Sequence, residues 1–568
     1  MQAEKRHLRI IMLMGLLILV PAAPLHAGPD EPTSAERLQL RVGALAEDSR
    51  VAGQSVADPW FLTRFYERRR FQVAWDSPTK LDALLVAIRQ STRHGLDPED
   101  YHVAMLAELV AASREASLPL ASAATELDML ATDALARLAF HLRFGKVNPE
   151  NIDSNWNFSR DLDGLSPVTA IQALVNAENL VGALESYAPH GAHYRGLMEY
   201  LEAYRQIAGR GGWPRVDAGA TLRAGMRSAR VSALRERLAM TGDLPAGSSP
   251  EDPERFDGVL DGGVRRFQVR HGLEVDGAVG RRTLAALNVP VEARIDQLRI
   301  NMERVRWVFR DLEPRFLLVN IARFQVLLME DDVVTWSTRA VVGRPYRQTP
   351  IFKARMTYLE FNPPWTVPPT ILREDLLPEI RHDPSVLHRR NLSVLDYQGR
   401  WVDPATIDWS SVSARTFPYR IRQEPGPDNP LGRVKFMYPN PYQVYMHDTP
   451  ERALFARPER PFSSGCIRIE QPFELVRILL AGTEWDDEAI ARVLWSGRTQ
   501  VVNLPRPIAV LTLYGTAVPE GGQIHFAADV YGRDARLLAA LNAPFVFSPP
   551  VGYEEALRGD IREADEPP

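Results

Sequence analysis

The chain is poor in cysteine, poor in lysine and almost free of long apolar runs, and each shortage narrows what it can be. A single cysteine, Cys466, among 568 residues excludes an internal disulfide. The five lysines (Lys5, Lys80, Lys146, Lys353, Lys435) stand against 62 arginines, yet there is no basic excess: the net charge is −5 and the pI about 6.2, with both signs interspersed. No nucleic-acid partner is expected from such a surface. After the first residues no apolar stretch approaches the roughly 20 positions that cross a bilayer. What is present is an ordinary globular composition, 45% hydrophobic and 24% charged. It is spread over enough chain for two or three cores, since one core stops growing at about 250–300 residues.

Residues 1–27 read as a secretory signal, with Lys5, Arg6 and Arg9, then the apolar run Ile10 to Val20, then a break ending at Ala27. The bulk of the chain is expected outside the cytoplasm, and an uncleaved signal would tie it to the inner membrane. A lone thiol in an oxidising space is either an inert buried residue or one kept for its chemistry, so its neighbours must decide.

The chain divides by pattern into several units, a multidomain α+β architecture. Residues 28–55 are polar and proline-containing and read as a linker or a frayed first helix. From 56 to 220 the apolar spacing is helical, for example Leu127, Leu130, Leu135, Leu138 and Leu142. The glycine-rich break at 209–225 precedes a module at 226–290. There Val231, Leu234 and Leu238, then Leu260, Val264 and Phe267, then Arg281 to Leu287 mark three short helices around one core. Residues 305–530 turn β-rich, beginning with Phe316 to Ile321, Gln325 to Met329 and Val333 to Val342, and closing with Ile508 to Leu513. A polar insert at 371–425 is expected to form a cap beside the site. Residues 531–568 are expected to be a solvated tail.

His447 ends the strand Val444-Tyr445-Met446-His447, and Cys466 follows 19 positions later behind a loop that can fold back. A thiol with a pKa of about 8.5 is mostly protonated at neutral pH, so a nucleophilic cysteine needs a base or a positive field. His447 supplies the first and Arg468 part of the second. Ser463-Ser464-Gly465 supplies backbone N–H groups that can converge on an oxyanion, with Ser464 and Gly465 as its expected donors.

These residues resemble the L,D-transpeptidases of the YkuD family, whose signature is a His followed by Ser/Thr-X-Gly-Cys-X-Arg. Asn362-Pro363-Pro364-Trp365-Thr366-Val367-Pro368 is similar to the segment lining the substrate cleft of that family. Asp448, where Gly is common, and Ser464, where His is common, look like the large YcbB-type subgroup. The resemblance implies a thioester mechanism on the tetrapeptide stems of peptidoglycan. Cys466 would attack the L-centre carbonyl of diaminopimelate and expel D-Ala, and a second stem's amine would then take the acyl group, giving a 3→3 cross-link. It further implies that the Asp448 carbonyl orients His447, that Arg468, Tyr445, Trp365 and Asn362 meet substrate, that the setting is the periplasm, and that cell-wall synthases are candidate partners. No cofactor and no metal are called for. The module at 226–290 is similar to the type 1 peptidoglycan-binding domain through Val264-Arg265-Arg266-Phe267-Gln268, His271-Gly272-Leu273 and Asp276-Gly277, with Phe267 and Leu284 as core. The helical region is similar to the scaffold domain of the same subgroup through Phe71-Gln72-Val73-Ala74-Trp75, His94-Gly95-Leu96-Asp97-Pro98 and Gly145-Lys146-Val147. Hydrolysis of the thioester and a catalytically silent wall-binding protein stay open as alternatives. The intact Cys466 and His447 speak against the silent form.

Three other signals are set aside. Ser77-Pro78-Thr79-Lys80 has the Ser-X-X-Lys spacing of serine penicillin-binding enzymes, but no lysine is followed by Thr-Gly or Ser-Gly. His190 and His193 lack a third zinc ligand. The clusters Asp486-Asp487-Glu488 and Glu554-Glu555 read as a helix start and part of the tail.

Overall fold

A computed structural model describes residues 32–562 apart from 115–119, 246, 248–249, 311, 414 and 416. The signal expected at 1–27 lies outside the described residues. Among those described, no helix is long and apolar enough to cross a membrane.

The helical region begins earlier than its composition indicates. Ser34–Gly43 is a helix started by a Thr33/Glu36 capping box, and the hairpin Arg50–Val51/Gln54–Ser55 follows. Leu38, Val42, Leu45 and Val51 are buried in the same core as the later helices. Residues 32–55 are therefore part of a domain and not a linker; one apolar face at i, i+4, i+7 outweighs the polar majority. The axis of the region is the helix Leu120–Phe144, whose Asp128 accepts from the backbone N–H groups of Ala74 and Trp75 and from the Tyr66 hydroxyl. Ser77 of the stray Ser-X-X-Lys is the N-cap of Pro78–Gln90, and its Lys80 pairs with Asp76.

The three-helix module comprises Arg230–Met240, Gly258–Arg270 and Arg281–Leu287. Phe267 is fully buried, whereas Leu284 is half-buried at the edge of the core. Gln268 holds the Asp276-Gly277 turn by donating to Asp276 Oδ1 at 2.8 Å and accepting from the Gly277 N–H at 2.9 Å. The module is joined to the β domain by the helix Val291–Val308, which carries a fully buried Glu303–Arg306 pair at 2.5 Å. Glu303 accepts from the Val147 N–H and Arg306 donates to the His94 carbonyl. A Cβ on Gly145 would lie 2.5 Å from Glu303 Oε1, so the His94-Gly95 and Gly145-Lys146-Val147 motifs are where the scaffold clasps this helix.

The β domain is a closed barrel. In spatial order its strands are Val333–Gly343, Ile467–Ile469, Met446–His447, Val434–Met437, Phe352–Phe361, Gln500–Leu513, Arg315–Asn320 and Gln325–Glu330, which pairs back with Val333–Gly343. A ninth strand, Pro461–Ser463, adds to Val333–Gly343, and three neighbouring pairs are parallel: this one, Met446–His447 with Ile467–Ile469, and Gln500–Leu513 with Arg315–Asn320. Closure removes exposed strand edges. The insert has its own core of Leu376, Ile380, Leu387, Val394 and Ile421 beneath a four-stranded sheet that includes Trp365–Thr366. The cap thus recruits residues ahead of 371.

Residues 531–562 are not a solvated tail. Asp534–Asn542 and Tyr553–Arg562 are helices; Leu537 and Leu541 pack on the barrel side, while Tyr553 and Leu557 join the helical core. The Tyr553 hydroxyl donates to Asp58 at 2.7 Å, stitching the end of the chain to its beginning.

Candidate active site

Strand register places the chemistry. Lys435 lies opposite His447, which lies opposite Arg468, while Phe436, Met446 and Ile467 form the adjacent row. Side chains alternate along a strand, so Phe436, Met446 and Ile467 enter the barrel core and are fully buried. The other face receives Lys435, Tyr445, His447, Cys466 and Arg468. A one-residue slip would send His447 into the core and lift Met446 out, so the apolar pattern that builds the barrel also selects the face of the site.

His447 Nδ1 lies 2.5 Å from the Asp448 carbonyl. A carbonyl only accepts, so Nδ1 carries the proton and Nε2 keeps its lone pair, the tautomer a base requires. Burial, reinforced by the cations Arg468 and Lys435, lowers the His447 pKa to about 3. The imidazole is neutral at physiological pH. Cys466 is partly exposed; burial of its sulfur pushes the thiol up, against hydrogen bonds from Tyr445 and the fields of Lys435 and Arg468. On this face the resting thiol and imidazole are therefore both neutral, so use of Cys466 as a nucleophile would require a proton transfer at the moment of attack.

Asp448 occupies space that a glycine opposite it provides. A Cβ on Gly432 would lie 2.4 Å from Asp448 Cγ. The buried carboxylate accepts from the Arg433 N–H at 2.8 Å and from Arg452 at 2.6 Å. The carbonyl that holds His447 is thus anchored through its own side chain.

The loop before Cys466 differs in part from the expectation. Gly465 has φ +117°, a conformation that side chains resist, and its N–H donates to Ser463 Oγ at 3.1 Å, while Ser463 donates to the Cys466 carbonyl at 2.6 Å. Gly465 is therefore not an oxyanion donor. The Ser464 hydroxyl accepts from Arg347 at 3.1 Å and faces the cap, not an oxyanion. Arg347 also grips Asp375 through two nitrogens, at 2.5 and 2.8 Å, and Glu374 at 3.0 Å, so one guanidinium ties the cap to the loop.

The remaining expected residues separate. Tyr445 faces the thiol and lies tilted against His447, ring centroids 5.7 Å apart and planes 59° apart. Arg468 pairs with Glu451, yet its Nε is buried without an acceptor among the described residues. Asn362 does not face the cleft: its Nδ2 donates to the carbonyls of Val493 and Arg498 at 2.8 and 3.1 Å, which pins the turn after the strand. Trp365 packs against the cap core instead of lining the cleft. Lys435, with its ammonium 4.1 Å from the Tyr445 ring centroid and 3.8 Å from Glu360, was missed; counting alternate positions back from His447's neighbour strand is the signal that finds it. His193 stacks on Phe309 at 5.7 Å, both partly buried, far from zinc-site chemistry.

Three family models match the chain: a scaffold domain at residues 61–201, a "Putative peptidoglycan binding domain" at 227–287, and an L,D-transpeptidase catalytic domain of the YkuD family at 314–493. The chain is 38% identical over 256 residues to a Haemophilus influenzae protein named "Putative L,D-transpeptidase", covering 44% of this chain and 51% of that one. It thus spans about half of that relative. It is also 43% identical over 81 residues to the N-acetylmuramoyl-L-alanine amidase CwlM of Mycobacterium tuberculosis, 13% of this chain and 20% of the other. A crystal structure of an L,D-transpeptidase from Xylanimonas cellulosilytica aligns over 52% of this chain and 99% of its own at 15% identity, with a TM-score of 0.18, too loose to build on. The chain therefore contains a YkuD-family L,D-transpeptidase catalytic domain, together with a scaffold domain and a peptidoglycan-binding domain.

Proposed function

We propose that the protein forms 3→3 peptidoglycan cross-links through a thioester on Cys466, using a tetrapeptide stem as donor. The observation that carries this is the register that sets Cys466 and His447 on one face, with the Asp448 carbonyl leaving His447 Nε2 free to accept a proton. Cys466 Sγ adds to the L-centre carbonyl of diaminopimelate as its proton passes to Nε2. The C–N bond to D-Ala then breaks, His447 returns the proton to the departing amine, and the acyl group stays on sulfur. The amine of a second stem adds to the thioester, His447 takes the ammonium proton, and the thiolate leaves and is reprotonated. Arg468, whose Nε has no acceptor among the described residues, is the residue we assign to a stem carboxylate.

The protein is proposed to work in the periplasm, carried there by the segment at 1–27, with the three-helix module holding the wall near the cleft. Incubating the mature protein with purified disaccharide tetrapeptide and weighing the products tests the assignment. A dimer lacking one D-Ala supports transfer, a tripeptide monomer assigns hydrolysis, and no product with no acyl adduct on Cys466 overturns both.

A further inference from the structure

Three residues outside the expected site converge on the peptide that precedes the nucleophile. Thr349 is fully buried. Its Oγ1 accepts from the Gly343 N–H at 2.9 Å, and it stands 2.8 Å from the Gly465 carbonyl, which can only accept. The direction of the hydroxyl proton is thereby fixed: Thr349 donates to Gly465. Gly343 has no room for a side chain, since a Cβ there would lie 2.2 Å from the Arg347 carbonyl oxygen. The turn from Gly343 to Thr349 is closed by Tyr531, whose hydroxyl donates to the Gly343 carbonyl at 2.6 Å and accepts from the Thr349 N–H at 3.2 Å. Tyr531 is itself held, its N–H donating to the Tyr514 hydroxyl at 2.9 Å.

We propose that Thr349 and Tyr531 are positioning residues that aim the Cys466 N–H into the cleft as the oxyanion donor. In a trans peptide the carbonyl of one residue and the N–H of the next point in opposite directions. Thr349 pulls the Gly465 carbonyl inward, so the Cys466 N–H points outward beside its own sulfur. It finds no acceptor among the described residues. Gly465 at φ +117° permits this peptide orientation, and its own N–H, spent on Ser463, cannot substitute. Tyr531 comes from beyond the matched catalytic domain, which ends at residue 493. The C-terminal segment thus supplies part of the geometry of the site.

The inference rests on the proposed thioester chemistry, and two reactions of the same sulfur separate them. Acylation by disaccharide tetrapeptide passes through a tetrahedral oxyanion; alkylation by iodoacetamide does not. Removing a direct oxyanion donor costs roughly 10²–10³ in rate, so loosening one through Thr349→Val or Tyr531→Phe should slow acylation about 10- to 100-fold. Alkylation of Cys466 should stay within about twofold, and Thr349→Ser should restore acylation because it keeps the hydroxyl. Acylation unchanged in both variants, or acylation and alkylation falling together, would overturn the proposal. Failure of the unaltered protein to acylate would instead strike the proposed function, and Tyr531→Phe, which keeps the ring's volume, guards against loss of fold in Thr349→Val.

Discussion

The protonation state of the resting Cys466–His447 pair gives the sharpest prediction. A thiolate–imidazolium pair, as in many cysteine enzymes, would be reactive and nearly pH-independent from about pH 5 upward. The structure argues for the opposite arrangement. Burial with Arg468 and Lys435 nearby holds His447 at about 3, and burial lifts Cys466 above the ordinary thiol range. A free thiol of pKa about 8.5 is about 3% ionised at pH 7, and Cys466 should be less. Its alkylation by iodoacetamide should therefore rise about tenfold per pH unit from pH 7 to 9, with no plateau below neutrality. The rate is read by intact mass at timed quenches. Replacing His447 by Gln should leave alkylation at pH 9 within about twofold, because solvent hydroxide makes the thiolate there. Acylation by tetrapeptide at pH 7 should fall by about 10²–10⁴, the contribution of a positioned general base. A flat alkylation profile from pH 5 to 8 that becomes steep in His447→Gln would refute the neutral pair and with it the role given to burial.

Other perturbations probe the supports of the site. Gly432→Ala forces a Cβ into the Asp448 carboxylate and should cost about 2–4 kcal/mol in urea denaturation together with most of the activity. Adding Asp448→Gly should recover part of the loss, less the cost of the bonds from Arg433 and Arg452 and of a side chain at φ +62°, and a double variant less stable than the sum of the two single ones would refute the clash. Arg347→Gln breaks the tie between cap and nucleophile loop, and amide exchange in Leu377–His382 should accelerate about tenfold, equal to about 1.4 kcal/mol. Unchanged exchange would show that the cap is held by its base only. His447 falls from about 6.5 in the unfolded chain to about 3 in the fold, so the unfolded state binds the extra proton throughout that window. Stability should be full above about pH 6.5 and drop by up to about 1.4 kcal/mol per pH unit below it for this residue alone. His447→Gln should flatten that slope in denaturation midpoints compared at pH 7 and pH 5.

What could be read from sequence divides by the range of the interactions involved. Cys466, His447 and the Asp448 carbonyl are legible because a two-residue strand, a loop and a motif bring them together through local register. The barrel is legible because its strands alternate or run continuously apolar. Asn362 and Trp365 were misassigned because a proline-rich segment beside a site looks like a cleft wall; whether such a side chain faces substrate or pins a turn depends on carbonyls at Val493 and Arg498, more than a hundred residues away. The segments at 32–55 and 531–562 are hard to read for a different reason. Leu38, Val42 and Leu45, and likewise Leu537 with Leu541 and Tyr553 with Leu557, carry helical spacing that polar neighbours obscure. Tyr531 had no such signal. It lies 182 residues from Thr349, and one hydroxyl serving two backbone groups leaves no periodicity behind. A site of this kind is recognisable from the residues that react, while the direction in which its backbone donors point is set by residues whose sequence neighbourhoods carry no mark of the task.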